Sequence, residues 1–211
     1  METVGTHDPQ NPSIAMNTLR AILITCFWAI ITLGQLASAQ SMPPHVKSFL
    51  AEHVKYALAC SGQYPIPVSI LLAVPALETG YGTTRAAIVT ECNNFFSIKG
   101  GKGAPCCREV KEYQPSRSGA VLVRLPACFR KFERPVDSYL AFCNLISTKE
   151  RYAPLRYIPR WDYRRWAREL QRAGYATDPA YADKLIQIIE RYGLHYYDPL
   201  PTPHPYWTMR N

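Results

Sequence analysis

Glu78 stands in an awkward place for a carboxylate. It follows the apolar run Val68 to Leu77 and precedes Thr79-Gly80-Tyr81-Gly82, so it falls where a buried helix is closed by glycine. The dipole at a helix C-terminus opposes negative charge, and apolar neighbours such as Leu77 withhold solvation; both effects push a carboxyl pKa upward. A carboxyl that keeps its proton near neutrality can protonate a glycosidic oxygen. The bland alternative is an ordinary surface glutamate just past a helix end.

The cysteines carry the second chemical signal. Seven are present, and Cys26 lies in a segment that reads as a leader: Arg20, then the apolar run Ala21 to Gly34, then the small-x-small site Ala37-Ser38-Ala39. That order is the pattern of a secretory signal peptide cleaved after Ala39, and the run is shorter than the roughly 20 apolar residues of a membrane span; a retained membrane anchor is the alternative. Met16 is an alternative start, because residues 1–15 make a poor basic leader. Cys60, Cys92, Cys106, Cys107, Cys128 and Cys143 remain, an even number that in an exported chain points to disulfides without choosing a connectivity. Zinc is the competing reading. The adjacent pair Cys106-Cys107 lacks C-x-x-C spacing and no histidine lies near it, so no metal is expected.

Removing residues 1–39 takes one of 24 basic residues, Arg20, and two of 16 acids, Glu2 and Asp8, leaving 23 against 14 and a net charge of +9. Such a balance favours an anionic partner. For an exported chain that partner is a cell-wall polymer bearing carboxylates and phosphates, rather than nucleic acid; a basic surface serving solubility alone is the alternative.

The elements that must position Glu78 follow from periodicity. Between Pro43 and Cys60, Val46, Phe49, Leu50, Val54, Ala57 and Leu58 recur at three and four, giving an amphipathic helix. The run Val68 to Leu77 is continuous, giving a buried helix whose Pro75 bends or loosens the last turn. Cys107 to Tyr113 and Ala120 to Phe132 are strand-like and flank Gln-Pro-Ser-Arg-Ser-Gly, a β-hairpin that cysteines at both ends would pin, since a lone hairpin is marginal in water. Helical spacing returns with Val136, Tyr139, Leu140 and Cys143, then with Trp161 to Ala173 ending at Gly174. Asp178-Pro179 opens a last helix through Leu185, Ile188, Ile189 and Tyr192. The boundaries are a leader over 1–39, a catalytic domain over 43–195 and a proline-rich tail over 196–211.

Three separated segments carry a family resemblance. Ala76-Leu77-Glu78-Thr79-Gly80-Tyr81-Gly82 resembles the A-L-E-[S/T]-G-[W/Y]-G motif of the glucosaminidase domain of glycoside hydrolase family 73, the family of flagellar peptidoglycan hydrolases and many autolysins. Asn94-Phe95-Phe96-Ser97-Ile98-Lys99-Gly100 resembles its N-L-F-G-I-K segment. Gly174-Tyr175-Ala176-Thr177-Asp178-Pro179-Ala180-Tyr181-Ala182 is similar to its G-Y-A-T-D-P-x-Y-A segment. They occur in the family's order between about Val46 and Tyr192. Pro75, Ser97 in place of glycine, and the cysteine-rich lobe depart from the pattern.

The resemblance implies an α+β, lysozyme-like fold, a helical body with a small β-hairpin lobe flanking a cleft. It implies Glu78 as general acid and a second acid in the lobe that activates water or stabilises the oxocarbenium-like transition state. Glu112, followed by Tyr113, fits the family's E-Y pair better than Glu109; on a regular strand the two point to opposite faces. Either could instead pair with Lys111, Arg108 or Arg124 on an exposed hairpin. Tyr175 is implied to orient substrate or water, and Tyr113 to bind substrate. Tyr81 and Phe96 would be sugar-facing or cleft-supporting walls, and Asn94 would bond an N-acetyl group or merely cap a turn.

The implied activity is hydrolysis of the β-1,4 bond on the reducing side of N-acetylglucosamine in peptidoglycan strands by an exported, periplasmic or secreted protein. It uses no cofactor, binds no nucleic acid and has no stable membrane insertion after leader removal; protein partners are unspecified. A lytic transglycosylase or muramidase shares the fold type and the acid. A non-catalytic wall-binding protein on the same scaffold would use its charge instead.

Overall fold

The computed structural model describes residues 42–83, 91–101, 103–117 and 119–199. The leader expected over 1–39 lies outside them, as does the expected tail 196–211 from residue 200 on. The described residues from Pro43 onward belong to one compact unit, and no helix among them is long and apolar enough to cross a membrane.

Among the described residues, five α-helices and one hairpin make up the fold. Helices α1 (Pro44–Gln63) and α2 (Val68–Thr79) lead into strands β1 (Cys106–Ser116) and β2 (Gly119–Phe129). Then follow α3 (Pro135–Thr148), a 3-10 segment (Glu150–Tyr157), α4 (Tyr163–Arg172), α5 (Tyr181–Arg191) and a short 3-10 turn (Leu194–Tyr197). This is the α+β, lysozyme-like arrangement expected, mostly helical with one antiparallel sheet.

Helix α2 is the hub. Its apolar residues surround the axis, and every residue from Val68 to Ala76 is buried, with α1, α4, α5 and the last 3-10 turn packed around it. Such a helix can bury itself only if its polar ends find partners. At its N-terminus, where Pro67 offers no side-chain cap, the Asp198 carboxylate accepts from Ser69 N at 2.9 Å and from Ser69 Oγ at 2.5 Å. The helix runs on past Pro75, and at its C-terminus Gly80 turns left-handed at φ 56°. Thr79 Oγ donates to the Pro75 carbonyl at 2.7 Å and accepts from Gly82 N at 2.8 Å, fastening the turn after Glu78.

The hairpin has a small core of its own, in which Cys92, Cys106, Val110, Ala127 and Phe129 are buried together with Leu125 against them. Two disulfides close its base: Cys92–Cys106 ties β1 to the preceding segment, and Cys107–Cys128 crosses between directly opposed strand residues. Cys60 and Cys143 depart from the six-cysteine disulfide expectation. Both are buried thiols on the core faces of α1 and α3, where they hydrogen-bond to each other, and buried free cysteine behaves as a small hydrophobe.

Residues 98–100 run alongside the end of β2, through Arg130 N to Ile98 O at 3.0 Å and Gly100 N to Cys128 O at 2.8 Å. Glycine is required there: a Cβ on Gly100 would sit 2.3 Å from the Ala104 Cβ and 3.3 Å from the Phe129 carbonyl carbon.

Candidate active site

A cleft of about 520 Å³ lies between the helical body and the hairpin, within the size range of small-ligand sites. Glu78 enters it from the last turn of α2, and Glu112 lines it from β1. Tyr175, Tyr181, Tyr152 and Arg151 line the helical side; Lys99 and Tyr113 line the other.

Glu112 and Glu109 part as strand alternation requires. The Glu112 side chain is 21% exposed and its Oε1 lies 2.7 Å from Lys99 Nζ. Glu109 is 62% exposed, does not line the cleft, and pairs with Arg124 on the outer face at 3.3 Å. Lys99 reaches Glu112 because its backbone is bridged to Phe129 beside the hairpin base. The sequence weighed Lys111, Arg108 and Arg124 as partners for these acids; Lys99, 13 residues before Glu112 in the chain, had no spacing signal to mark it.

Tyr175 stands next to Glu78, and its hydroxyl donates to the Phe96 carbonyl at 2.7 Å. Burial, reinforced by the Glu78 carboxylate, holds that phenol protonated, its pKa well above the usual value. Its proton is therefore committed to backbone, and toward substrate or water the oxygen acts as an acceptor. Tyr181 is a neighbour the sequence did not single out, although it sits in the third quoted segment. It is buried, lines the cleft, and its pKa too is raised, by burial first and then by Glu78.

Phe96 and Asn94 take the supporting alternatives raised for them, and Tyr81 lies off the cleft. Phe96 is 1% exposed, stacked on Phe142 at 4.3 Å and edge-on to Tyr139 at 4.7 Å; it supports the cleft from beneath. Asn94 is fully committed to its own loop: Nδ2 donates to Ile98 O at 2.9 Å and Arg130 O at 2.8 Å, and Oδ1 accepts from Ile98 N at 2.9 Å. Tyr81 lies away from the cleft lining, edge-on to Phe49 and Tyr192, because the left-handed turn at Gly80 and Tyr81 carries it to the α1 side of the body. Tyr113 does line the cleft, half-buried, and its N–H donates to Thr177 Oγ at 3.1 Å from the opposite lobe.

Ser97 explains one departure from the family pattern. Its φ is 49°, a left-handed conformation that glycine adopts without cost and other residues at roughly 1 kcal/mol.

A helical body and a hairpin that face each other across a cleft, each contributing a carboxylate, define a glycoside hydrolase of the lysozyme-like class. The pattern of the glucosaminidase family, described as mannosyl-glycoprotein endo-beta-N-acetylglucosaminidase, matches residues 54–194, and the chain belongs to that family.

Exo-glucosaminidase LytG of Bacillus subtilis is 29% identical over 194 residues, 85% of this chain and 67% of its own. Peptidoglycan hydrolase FlgJ of Pseudomonas aeruginosa is 32% identical over 158 residues, 72% of this chain and 38% of its own. A crystal structure of a peptidoglycan hydrolase mutant from Sphingomonas sp. A1 superposes with a TM-score of 0.57 at 26% identity, covering 71% of this chain and 96% of that one. The chain thus spans from about two fifths to two thirds of the length of these two curated relatives.

Proposed function

We propose that this chain is an exported enzyme that hydrolyses the glycan strands of peptidoglycan, cutting the β-1,4 bond on the reducing side of N-acetylglucosamine. In this reading residues 1–39 are removed on export and residues 43–195 form the catalytic domain. The observation that carries it is the sharing of one cleft by Glu78 and Glu112 from opposite lobes. Glu78 is the general acid that protonates the departing glycosidic oxygen, a role supported by its place in the last turn of α2 inside the cleft. Glu112, kept beside Lys99, activates water or stabilises the positive charge that develops on the sugar ring. Tyr175 offers its oxygen to water or to a substrate hydroxyl, and Tyr113 contacts the glycan from the hairpin.

Support for the substrate comes from the relatives, one named an exo-glucosaminidase and another a peptidoglycan hydrolase. Release of reducing ends from purified sacculi tests the reading. Glu78→Gln should lower it by about 10²–10⁴-fold, the usual contribution of a general acid; undiminished release would overturn the assignment. Mass spectrometry of borohydride-reduced products should find N-acetylglucosaminitol, whereas muramitol or anhydro-muramic ends would indicate a muramidase or transglycosylase. Product length then separates cleavage within strands from removal of terminal sugars.

A further inference from the structure

We propose that Arg151 is a substrate-binding residue whose guanidinium takes a carboxylate carried by the glycan beside the scissile bond. The inference rests on the reading of the cleft as a peptidoglycan-cleaving site and names the substrate feature that the site selects.

Arg151 opens the 3-10 segment Glu150–Tyr157 and lines the cleft shared by Glu78 and Glu112. Tyr152 fixes its orientation: the Arg151 Cζ lies 4.6 Å from the centre of the Tyr152 ring, and Nη2 donates to the Tyr152 hydroxyl at 2.5 Å. Tyr152 is itself fully buried, close to Tyr175, so the anchor is rigid.

The other cations of the cleft wall are engaged or lack the geometry of a fork. Lys99 is held by Glu112 and Lys184 by Asp178, while Lys111, exposed on β1 at the cleft edge, offers a single ammonium and no planar fork. Arg151 has no ion-pair partner among the described residues. With one N–H spent on Tyr152 it keeps the rest of a planar fork, the geometry that receives a carboxylate through two parallel bonds. Because the fork is already oriented, little side-chain freedom is lost on binding. A polymer of neutral N-acetylhexosamines gives such a group nothing to hold. A strand with carboxylate-bearing peptides on alternate sugars does.

The test compares native glycan strands with the same strands whose carboxylates have been converted to methylamides by carbodiimide coupling. Wild-type enzyme should lose about 10- to 100-fold in kcat/KM on the amidated strands, mainly through KM, the scale of a lost charge-assisted bidentate contact. Arg151→Gln should suffer a similar loss on native strands, and amidation should then cost it little more, because the two changes remove the same contact. Arg151→Lys, which keeps the charge without the fork, should fall between.

Losses that add independently would overturn the assignment, as would an Arg151→Gln enzyme that matches wild type on native strands. Equal unfolding midpoints establish that the variants fold. Should the glutamine variant unfold, wild type and the lysine variant on the two substrates decide the question. Failure of wild type to cut either strand would count against the proposed function, which separates that failure from this one.

Discussion

Residue by residue, the acids were the most legible feature. The helix end gave Glu78 a chemical reason to act as an acid, the family resemblance raised it above an ordinary surface glutamate, and the E-Y pair favoured Glu112 over Glu109, which alternation puts on the opposite strand face. Glu112→Gln should therefore lower hydrolysis by about 10²-fold or more. Glu109→Gln should stay within about twofold of wild type, since its exposed pair with Arg124 contributes little. Parallel progress curves on sacculi check this, and the reverse ranking would move the second carboxylate to the outer face. The aromatic and amide contacts were less legible. Phe96, Asn94 and Tyr81 sit in the right segments, but a segment match cannot tell a side chain that meets substrate from one that holds its neighbour in place. Which it is depends on local backbone turns such as those at Tyr81 and Ser97.

Among the elements, every helix named from periodicity is present, with ends displaced by a few residues, and the hairpin is longer at its tip than the strand-like runs indicated. The 3-10 segment Glu150–Tyr157 was not read. Pro154 interrupts it and its period near three gives no amphipathic stripe, which is why Arg151 and Tyr152 escaped notice. The hairpin depends on its bridges more than any helix does, because its core holds few residues and a free hairpin is marginal. Bridges closing loops of 14 and 21 residues each contribute about 3 kcal/mol in the chain-entropy picture. Under a mild thiol reductant, activity should fall at least tenfold while the far-UV helical signal persists. A parallel loss of both would mean that the hairpin and body fold as one cooperative unit.

Across the molecule, the sequence located the two lobes but not how they are joined. Contacts such as Tyr113 N–H with Thr177 and Tyr175 with the Phe96 carbonyl link residues far apart in the chain and leave no periodic trace. The interior also holds a titratable group that no motif marked. His53 on α1 is buried between Phe49 and Phe95, and its Nδ1 shares a hydrogen bond with the Tyr139 hydroxyl at 2.8 Å. Burial, with a smaller effect from Lys55, lowers its pKa to about 4. An unfolded chain takes up that proton near pH 6.5 and the folded chain only near 4, so stability falls as pH drops through this window and levels off below it. The full loss is about 3 kcal/mol. Denaturant unfolding at pH 7, 5 and 4 should show it, and His53→Phe should flatten the slope by that amount; an unchanged slope would remove His53 from the account.

The covalent closure of the hairpin base has a consequence for the cell that makes this chain. Thiol-reducing surroundings keep cysteines such as Cys92, Cys106, Cys107 and Cys128 unpaired, and oxidising ones join them. For a chain exported as proposed, the wall of the cleft that presents Glu112 is therefore secured only once the polypeptide has left the compartment of its synthesis.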